Sequence, residues 1–225
     1  MASMMLSILI ATLESRRDQF AHLFERLTAQ VRDAEPAGEI EILSLRDNRE
    51  ASIGTKRNRL IRQASGRFVA FVDDDDDVSD DYISRISAVI RGHPEIDCVG
   101  IKVIVTFRGS HPQEMTYSLS YDDYFSRGHS YFRPPHHWNP ILRSVALEYP
   151  FLDASYAEDA EWALRLRRSG ALRREEFIGT PAYFYKSRRW WPYQLLLDWT
   201  EPVRHALGLR SVNRLRLNRA SMRLE

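Results

Sequence analysis

Residues 68–81 read FVAFVDDDDDVSDD, and no other stretch of the chain narrows its fold as far. Five apolar residues suffice for a short buried strand, and they run without a spacer into five consecutive carboxylates that repel one another unless water or a cation neutralises them. An isolated charge run reads most simply as a solvated acidic loop. Here the acids begin where the strand ends, and a parallel α/β sheet binds its ligands at such strand ends, so a divalent-metal site is the better reading. An EF-hand loop starting at Asp73 would need Gly at its sixth position and Glu at its twelfth, where Val78 and Ser84 stand, which excludes calcium binding of that kind. A two-metal phosphoryl site through Asp73, Asp75 and Asp76 would need ligands from elsewhere in the chain. One Mg²⁺ or Mn²⁺ shared between one or two carboxylates and a substrate diphosphate is the simpler arrangement.

The segments before the acids set the fold class. Residues 5–11 read as a buried strand, and Phe20, Leu23, Phe24, Leu27 and Val31 recur at helical spacing, so a helix is expected over 17–32. A second strand over 40–45, a polar loop with Asp47 and Asn48, and a helix over 56–64 with Leu60, Ile61 and Ala64 inward lead to the acid-tipped strand. Strand, helix, strand, helix, strand implies right-handed crossovers and a parallel core. The loops that start at Thr12, Arg46 and Asp73 then open on one edge, where a nucleotide lies in such sheets. The chain has neither a GxGxxG stretch nor a Walker lysine motif, since Gly54 is followed by Thr55, Lys56 and Arg57. Phosphate charge must therefore be met by metal and by Lys56 or Arg57.

Beyond the acids, Ser79 is placed as the N-cap of a helix ending at Gly92, with Asp80 and Asp81 serving its dipole. Strands are expected over 98–107, 115–121, 171–177 and 182–185, the last two at sheet edges. A helix over 156–169 opens on Glu158 and Asp159, and acids there serve the dipole or point into a cleft as a general base. The loop SRGHSYFRPPHHWNP, residues 126–140, sets His136 and His137 beside prolines, as metal ligands or acceptor contacts or as plain surface.

Composition bounds the rest. The 225 residues, 44% of them hydrophobic, suit one domain with a sizeable core. The single Cys98 rules out an intrachain disulfide framework. No window is apolar enough to cross a bilayer, and the amino-terminal apolar run is short and lacks a charged region before it, so a cytoplasmic protein is expected. From Arg188 onward eight Arg stand against Asp198, Glu201 and Glu225, a basic, Trp-containing extension that packs on its own domain or lies on an anionic surface.

Together these segments resemble glycosyltransferase family 2, nucleotide-sugar enzymes of the GT-A type, over most of residues 5–186. The resemblance lies in SILIATLESR, in SIGTKRNRLIRQASGRFVAFVDDDDDVSDDYI, in HHWNPILRS and in YAEDAEWALRLRRSG, and it extends to small phage-type members. It implies an α/β fold with a mostly parallel, Rossmann-like sheet flanked by helices. It divides the chain into a glycosyltransferase domain over 1–187, with a nucleotide-binding half 1–92 and an acceptor-binding half 93–187, and a helical extension over 188–225. By position it makes Asp73 and Asp75 the DxD pair, Asp73 near ribose and metal and Asp75 on Mn²⁺ or Mg²⁺. Asp74 lies between them and Asp76 beside them. Thr12, Glu14, Arg16 and Asp47 would contact base and ribose, with Lys56 and Arg57 near them. Asp159 would be the catalytic base and Glu158 a donor or acceptor contact. The chain departs from the family at Ala11, Thr12, Leu13 and Glu14, where Pro-Thr-Tyr-Asn is usual. It departs again at Lys186, Ser187 and Arg188, where a metal-binding histidine often follows, and His137 is offered as third ligand instead.

The implied reaction is metal-dependent, inverting transfer of a sugar from a UDP-sugar to an acceptor hydroxyl. The acceptor is a glycan, a lipid-linked acceptor or a hydroxymethylated DNA base, the last flipped against Tyr131, Phe132 or Trp138. Two readings compete with it. A nucleic-acid-binding module working through its basic tail would bind DNA or RNA salt-sensitively and without nucleotide sugar. A metal-dependent nucleotidyltransferase would release pyrophosphate.

Overall fold

A computed structural model describes residues 4–34, 38–127 and 130–187. β1 (Leu6–Leu13) is buried from Leu6 to Ile10, because helices cover both of its faces. α1 (Arg17–Asp33) follows one 3-10 turn and directs Phe20, Leu23 and Leu27 inward. β2 (Ile40–Asp47), α2 (Ile53–Gln63) and β3 (Phe68–Phe71) complete the first unit. α2 starts at Ile53 rather than Lys56 because the Ser52 hydroxyl accepts the Thr55 N–H at 3.0 Å and caps the helix. β1 runs parallel to both β2 and β3, with Leu13 opposite Asp47 and Leu9 opposite Phe71. The expected parallel core is present, and its three C-terminal strand ends share one edge.

The rest of the chain adds β4 (Asp77–Val78), α3 (Tyr82–Gly92), β5 (Cys98–Phe107), β6 (Ser110–Tyr117), β7 (Phe125–Arg127), β8 (Ser130–Arg133), β9 (Ile141–Leu142), α4 (Arg143–Glu148), α5 (Glu158–Ser169) and β10 (Glu175–Ser187). Here the mostly parallel, Rossmann-like GT-A sheet expected from the sequence is corrected. The sheet is mixed, in the order β2-β1-β3-β9-β5-β6-β8-β7, with β10 joined to β5 and β4. β9 runs antiparallel to β3 and β5, β6 to β5, β7 to β8, and β4 to β10. Outside the first three strands, among the described residues, only β5–β10 and β6–β8 are parallel. Connection length explains the change: Arg108 and Gly109, both at positive φ, turn β5 directly into β6, and so short a link joins only antiparallel neighbours.

Two smaller expectations change as well. The edge strands placed over 171–177 and 182–185 are one strand, β10, and it is paired on both sides at Tyr183 and Phe184. Ser79 does not cap α3, which starts at Tyr82. Its backbone N–H donates to the Ala182 carbonyl, while Asp80 pairs with Arg26 and Asp81 with Arg85.

Strand alternation divides the core between two faces. Leu6, Ile8, Ile10, Phe68, Ala70 and Val72 pack with α1 and α3 through Phe20, Leu23, Leu27, Ile83 and Ile86. Leu9, Val69 and Phe71 pack with α2, α4 and α5 through Leu60, Ile61, Ala146, Trp162 and Leu166. Among the described residues no helix is long and apolar enough to cross a membrane. The basic extension over 188–225 lies outside the described residues.

Candidate active site

Beyond β3, the five acids take different partners. Asp73 is 27% exposed on its side chain; its Oδ2 accepts the Trp138 indole N–H at 3.0 Å and lies 3.2 Å from His137 Nε2, and its Oδ1 lies 3.2 Å from Arg57. Burial raises its carboxyl, but His137, Arg57 and the indole outweigh that and hold it well below the usual carboxylate range. Asp74, 2% exposed, accepts the Thr12 hydroxyl at 2.7 Å and Arg16 at 2.6 Å. Asp75 lies 3.3 Å from Arg16 and lines the cleft. Asp76 is buried, receiving the Tyr183 hydroxyl at 2.7 Å and the Lys186 N–H at 2.8 Å, and burial together with the Asp73 charge pushes its carboxyl well up. Asp77 pairs with Lys186 and Arg26. The run is therefore partly a joint between β1, β3 and β10 and partly a pair of acids, Asp73 and Asp75, on a cleft wall.

Arg57 ties this wall to the opposite one. It is 4% exposed on its side chain and packs over the rings of Phe71 and Phe151. Its guanidinium reaches Asp73 at 3.2 Å, His137 Nε2 at 3.0 Å and Glu158 Oε1 at 2.5 Å. Glu158 opens α5, where burial and the adjacent Asp159 push its carboxyl up to about 7 against the pull of Arg57. The helix start is fixed from α2: Asp153 accepts the Ser52 and Thr55 hydroxyls at 2.5 and 2.6 Å, and the Gly54 N–H donates to the Ala154 carbonyl at 3.0 Å. Ala157 at φ +60 then turns the chain into the helix.

Asp159 faces the cleft with its side chain 31% exposed, its Oδ2 3.4 Å from His136 Nε2. Burial raises Asp159, but the His136 contact, the paired imidazoles and Arg57 outweigh it, so the carboxyl is held low and ionised at neutral pH. Burial lowers both histidines, His137 to about 3 with help from Arg57 and His136. Asn139 sets the turn that carries them, accepting the His136 N–H at 2.8 Å and donating to the carbonyls of Val99 and Tyr117. His136, His137 and Asp159 form a group whose ligand atoms lie within 4.8 Å of one another and which could chelate a metal. Arg57 against His137 Nε2 opposes a second cation on that side.

The cleft encloses about 810 Å³ and spans both halves of the sheet. One half is lined by Leu13, Arg16, the segment from Arg49 to Ile53, Lys56 and Asp75, the other by Val105, Phe107, Tyr117, Tyr124, Arg133 and Tyr185. Of the residues expected to meet a nucleotide, Arg16, Lys56, Arg57, Asp73 and Asp74 line it. Lys56 donates to Asp47 at 2.7 Å and to the Thr12 carbonyl at 2.9 Å, so its charge is shared with the loop it anchors. Thr12 is buried against Asp74, and Glu14 is ion-paired with Arg17. Asp47 receives the N–H groups of Arg49 and Ala51 and so closes the loop after β2. None of these three is on the cleft wall, and neither is His137 or Phe132, whereas Trp138 and Tyr131 are. His136, offered from the sequence as a metal ligand or acceptor contact, lines the cleft, whereas Tyr117, Tyr124 and Arg133 are not singled out by the sequence: tyrosines and an arginine at strand ends read as ordinary half-buried sheet.

Chemically, the wall formed by Asp73 and Asp75 presents carboxylate oxygens, the donor type that suits Mg²⁺ or Mn²⁺ shared with phosphate oxygens. Across the cleft, ionised Asp159 can accept a proton. The two functions sit on one cavity and are cross-linked by Arg57.

The sequence model described as Glycosyl transferase family 2 matches residues 8–149. None of the curated proteins matches the sequence. Among solved structures, that of S. aureus TarS 1–349 is 16% identical, with a TM-score of 0.57 over 81% of this chain and 60% of that one. The TarS 1–349 complexes with UDP and with UDP-GlcNAc are each 15% identical over 89% of this chain, at TM-scores of 0.60 and 0.52, and are covered to 64% and 65% of their own length. The chain thus spans less than two thirds of these proteins, and the likeness is one of fold. α5 and β10 lie beyond the family match, which ends at residue 149.

Proposed function

The chain belongs to glycosyl transferase family 2, and from that premise we propose that it transfers a sugar from a UDP-sugar to an acceptor hydroxyl, with inversion at the anomeric carbon. The observation that carries this reading is the pairing, across one cavity, of the strand-end acids Asp73 and Asp75 with Asp159 at the start of α5. The TarS structures with UDP and UDP-GlcNAc support the donor class.

Asp73 and Asp75 would hold Mn²⁺ or Mg²⁺, which supplies neutralisation of the diphosphate as it leaves. Arg16, beside Asp75, adds positive charge at the same end. The segment from Arg49 to Ile53 lines the base and ribose end. Asp159 takes the proton of the acceptor hydroxyl as that oxygen attacks the anomeric carbon from the side opposite the diphosphate. His136, 3.4 Å from Asp159, keeps its carboxylate oriented toward the cleft. Arg57 and Glu158 fix the distance between the two carboxylate walls and are positioning residues.

Calorimetry with UDP-GlcNAc, with and without Mn²⁺, tests the donor half. Metal-dependent binding is expected, and Asp75→Ala should weaken it. Asp159→Asn should lower turnover by roughly 10²–10⁴-fold, the usual size of a general-base contribution, while donor binding stays within about threefold. Near-normal turnover in that variant removes Asp159 from the mechanism, and metal-independent donor binding removes the Asp73 and Asp75 site.

A further inference from the structure

We propose that Arg16 is a built-in counter-ion that couples metal to donor: its guanidinium opposes a divalent cation at the strand-end acids until a diphosphate takes up its charge, so that the two bind as a unit. The proposal rests on the transferase reading above and concerns the regulation of that same site.

The acidic run carries its own cations. Arg57 lies 3.2 Å from Asp73, Arg26 and Lys186 lie 3.3 and 3.0 Å from Asp77, and Arg16 is shared by Asp74 at 2.6 Å and Asp75 at 3.3 Å. Burial lowers the Arg16 guanidinium, but Asp75, Asp74 and Asp73 outweigh burial and raise it, so all three carboxylates act on this one cation. Five acids in sequence therefore leave much of their charge already answered. A divalent cation shared by Asp75 would stand beside the Arg16 guanidinium, and in a partly buried corner solvent screens that repulsion less than in open water.

Exposure separates Arg16 from Arg57. The Arg57 side chain is 4% exposed and packs over the rings of Phe71 and Phe151, which lock it. Arg16 ends the 3-10 turn between β1 and α1, its side chain is 33% exposed, and it lines the cleft, so it is free to turn from carboxylate to ligand. Asp74 keeps the Thr12 hydroxyl at 2.7 Å when Arg16 turns and is not orphaned. A diphosphate offers paired oxygens that match the guanidinium fork and hard oxygens that suit Mg²⁺ or Mn²⁺. The diphosphate thus removes what opposes the cation, and by linkage the cation favours the diphosphate to the same extent.

The test titrates Mn²⁺, its free form read from its paramagnetic resonance signal, against the full chain, Arg16→Gln and Arg16→Lys, with circular dichroism checking that each folds. Arg16→Gln should bind Mn²⁺ alone about fivefold or more tightly than the unaltered chain, while Arg16→Lys, which keeps the charge, should stay within about twofold. Calorimetric titration of UDP in excess Mn²⁺ should move the other way and weaken by about fivefold or more in Arg16→Gln, because the guanidinium that meets the phosphates is gone. A side chain that merely packs the corner would shift both affinities in the same direction. The unaltered chain gives a reading that needs no variant: chain and UDP together should hold Mn²⁺ about tenfold more tightly than either does alone. Unchanged or weaker Mn²⁺ binding in Arg16→Gln, unchanged or tighter UDP binding there, or an unaltered chain that holds Mn²⁺ as tightly without UDP as with it overturns the proposal. UDP-GlcNAc titration of the unaltered chain in excess Mn²⁺ judges the transferase reading: donor binding beside an unmoved Mn²⁺ affinity in Arg16→Gln sinks the role of Arg16 alone, and no donor binding sinks both.

Discussion

Asp74 and Asp75 are neighbours in an unbroken acidic run and both border the cleft, yet Asp74 is 2% exposed and fixed to Thr12 and Arg16 while the Asp75 side chain is 23% exposed. Replacing Asp74 by Ala strips a buried acceptor from two donors and should cost about 1–3 kcal/mol in urea unfolding, the range for an orphaned buried polar group. Arg57 is more exacting. Arg57→Ala leaves Glu158 and Asp73 facing each other without their shared cation, and breaking a buried pair of this kind costs about 3–5 kcal/mol. Arg57→Lys should recover little of the loss, because a single ammonium cannot span both carboxylates and His137. The sequence marks the acids as a class but does not sort them. Which of Asp73 to Asp77 is core and which is cleft depends on Thr12, Tyr183 and Lys186, and no local rule links these to the run.

The helix carrying Glu158 and Asp159 is aimed by a contact that only glycine permits. A Cβ on Gly54 would stand 1.9 Å from the Leu152 carbonyl oxygen, so Gly54→Ala must push the segment that leads into α5 away from α2. Overpacking of this sort costs about 1–3 kcal/mol, and turnover should fall further than donor affinity because Asp159 moves while Asp73 and Asp75 stay. Trp162 stacks on Phe151 at 4.5 Å beneath the same segment, and Trp162→Ala should lower stability by about 3–5 kcal/mol, read from the shift in the unfolding midpoint. β1, α1, β2, α2 and β3 are legible in the chain because each is local: apolar runs of strand length alternate with helical spacing. β9, two residues long, and β10, broken in appearance by Gly179 and Pro181, carry no such period, and their pairing depends on partners far along the chain. The mixed sheet follows from those two strands and from the tight turn after β5.

For the molecule as a whole, the charged and the aromatic ends of the cleft share one cavity but not one kind of chemistry. EDTA should abolish UDP-GlcNAc binding and Mn²⁺ should restore it, as calorimetry would show. The sequence exposes the first half because charge and spacing announce it. The second half is assembled from β5, β6, β8 and β10, and its lining residues meet only once the sheet is built.

Asp76 has a consequence for how such a chain is made. Its two partners, Tyr183 and the Lys186 N–H, follow it by 107 and 110 residues. During synthesis on a ribosome the first three strands and their helices can assemble early, yet this carboxyl waits, wet and unpaired, until nearly the last described strand has emerged. Folding of the acidic corner is therefore a late event, and a nascent chain halted before β10 would hold the acids without the strand that locks them.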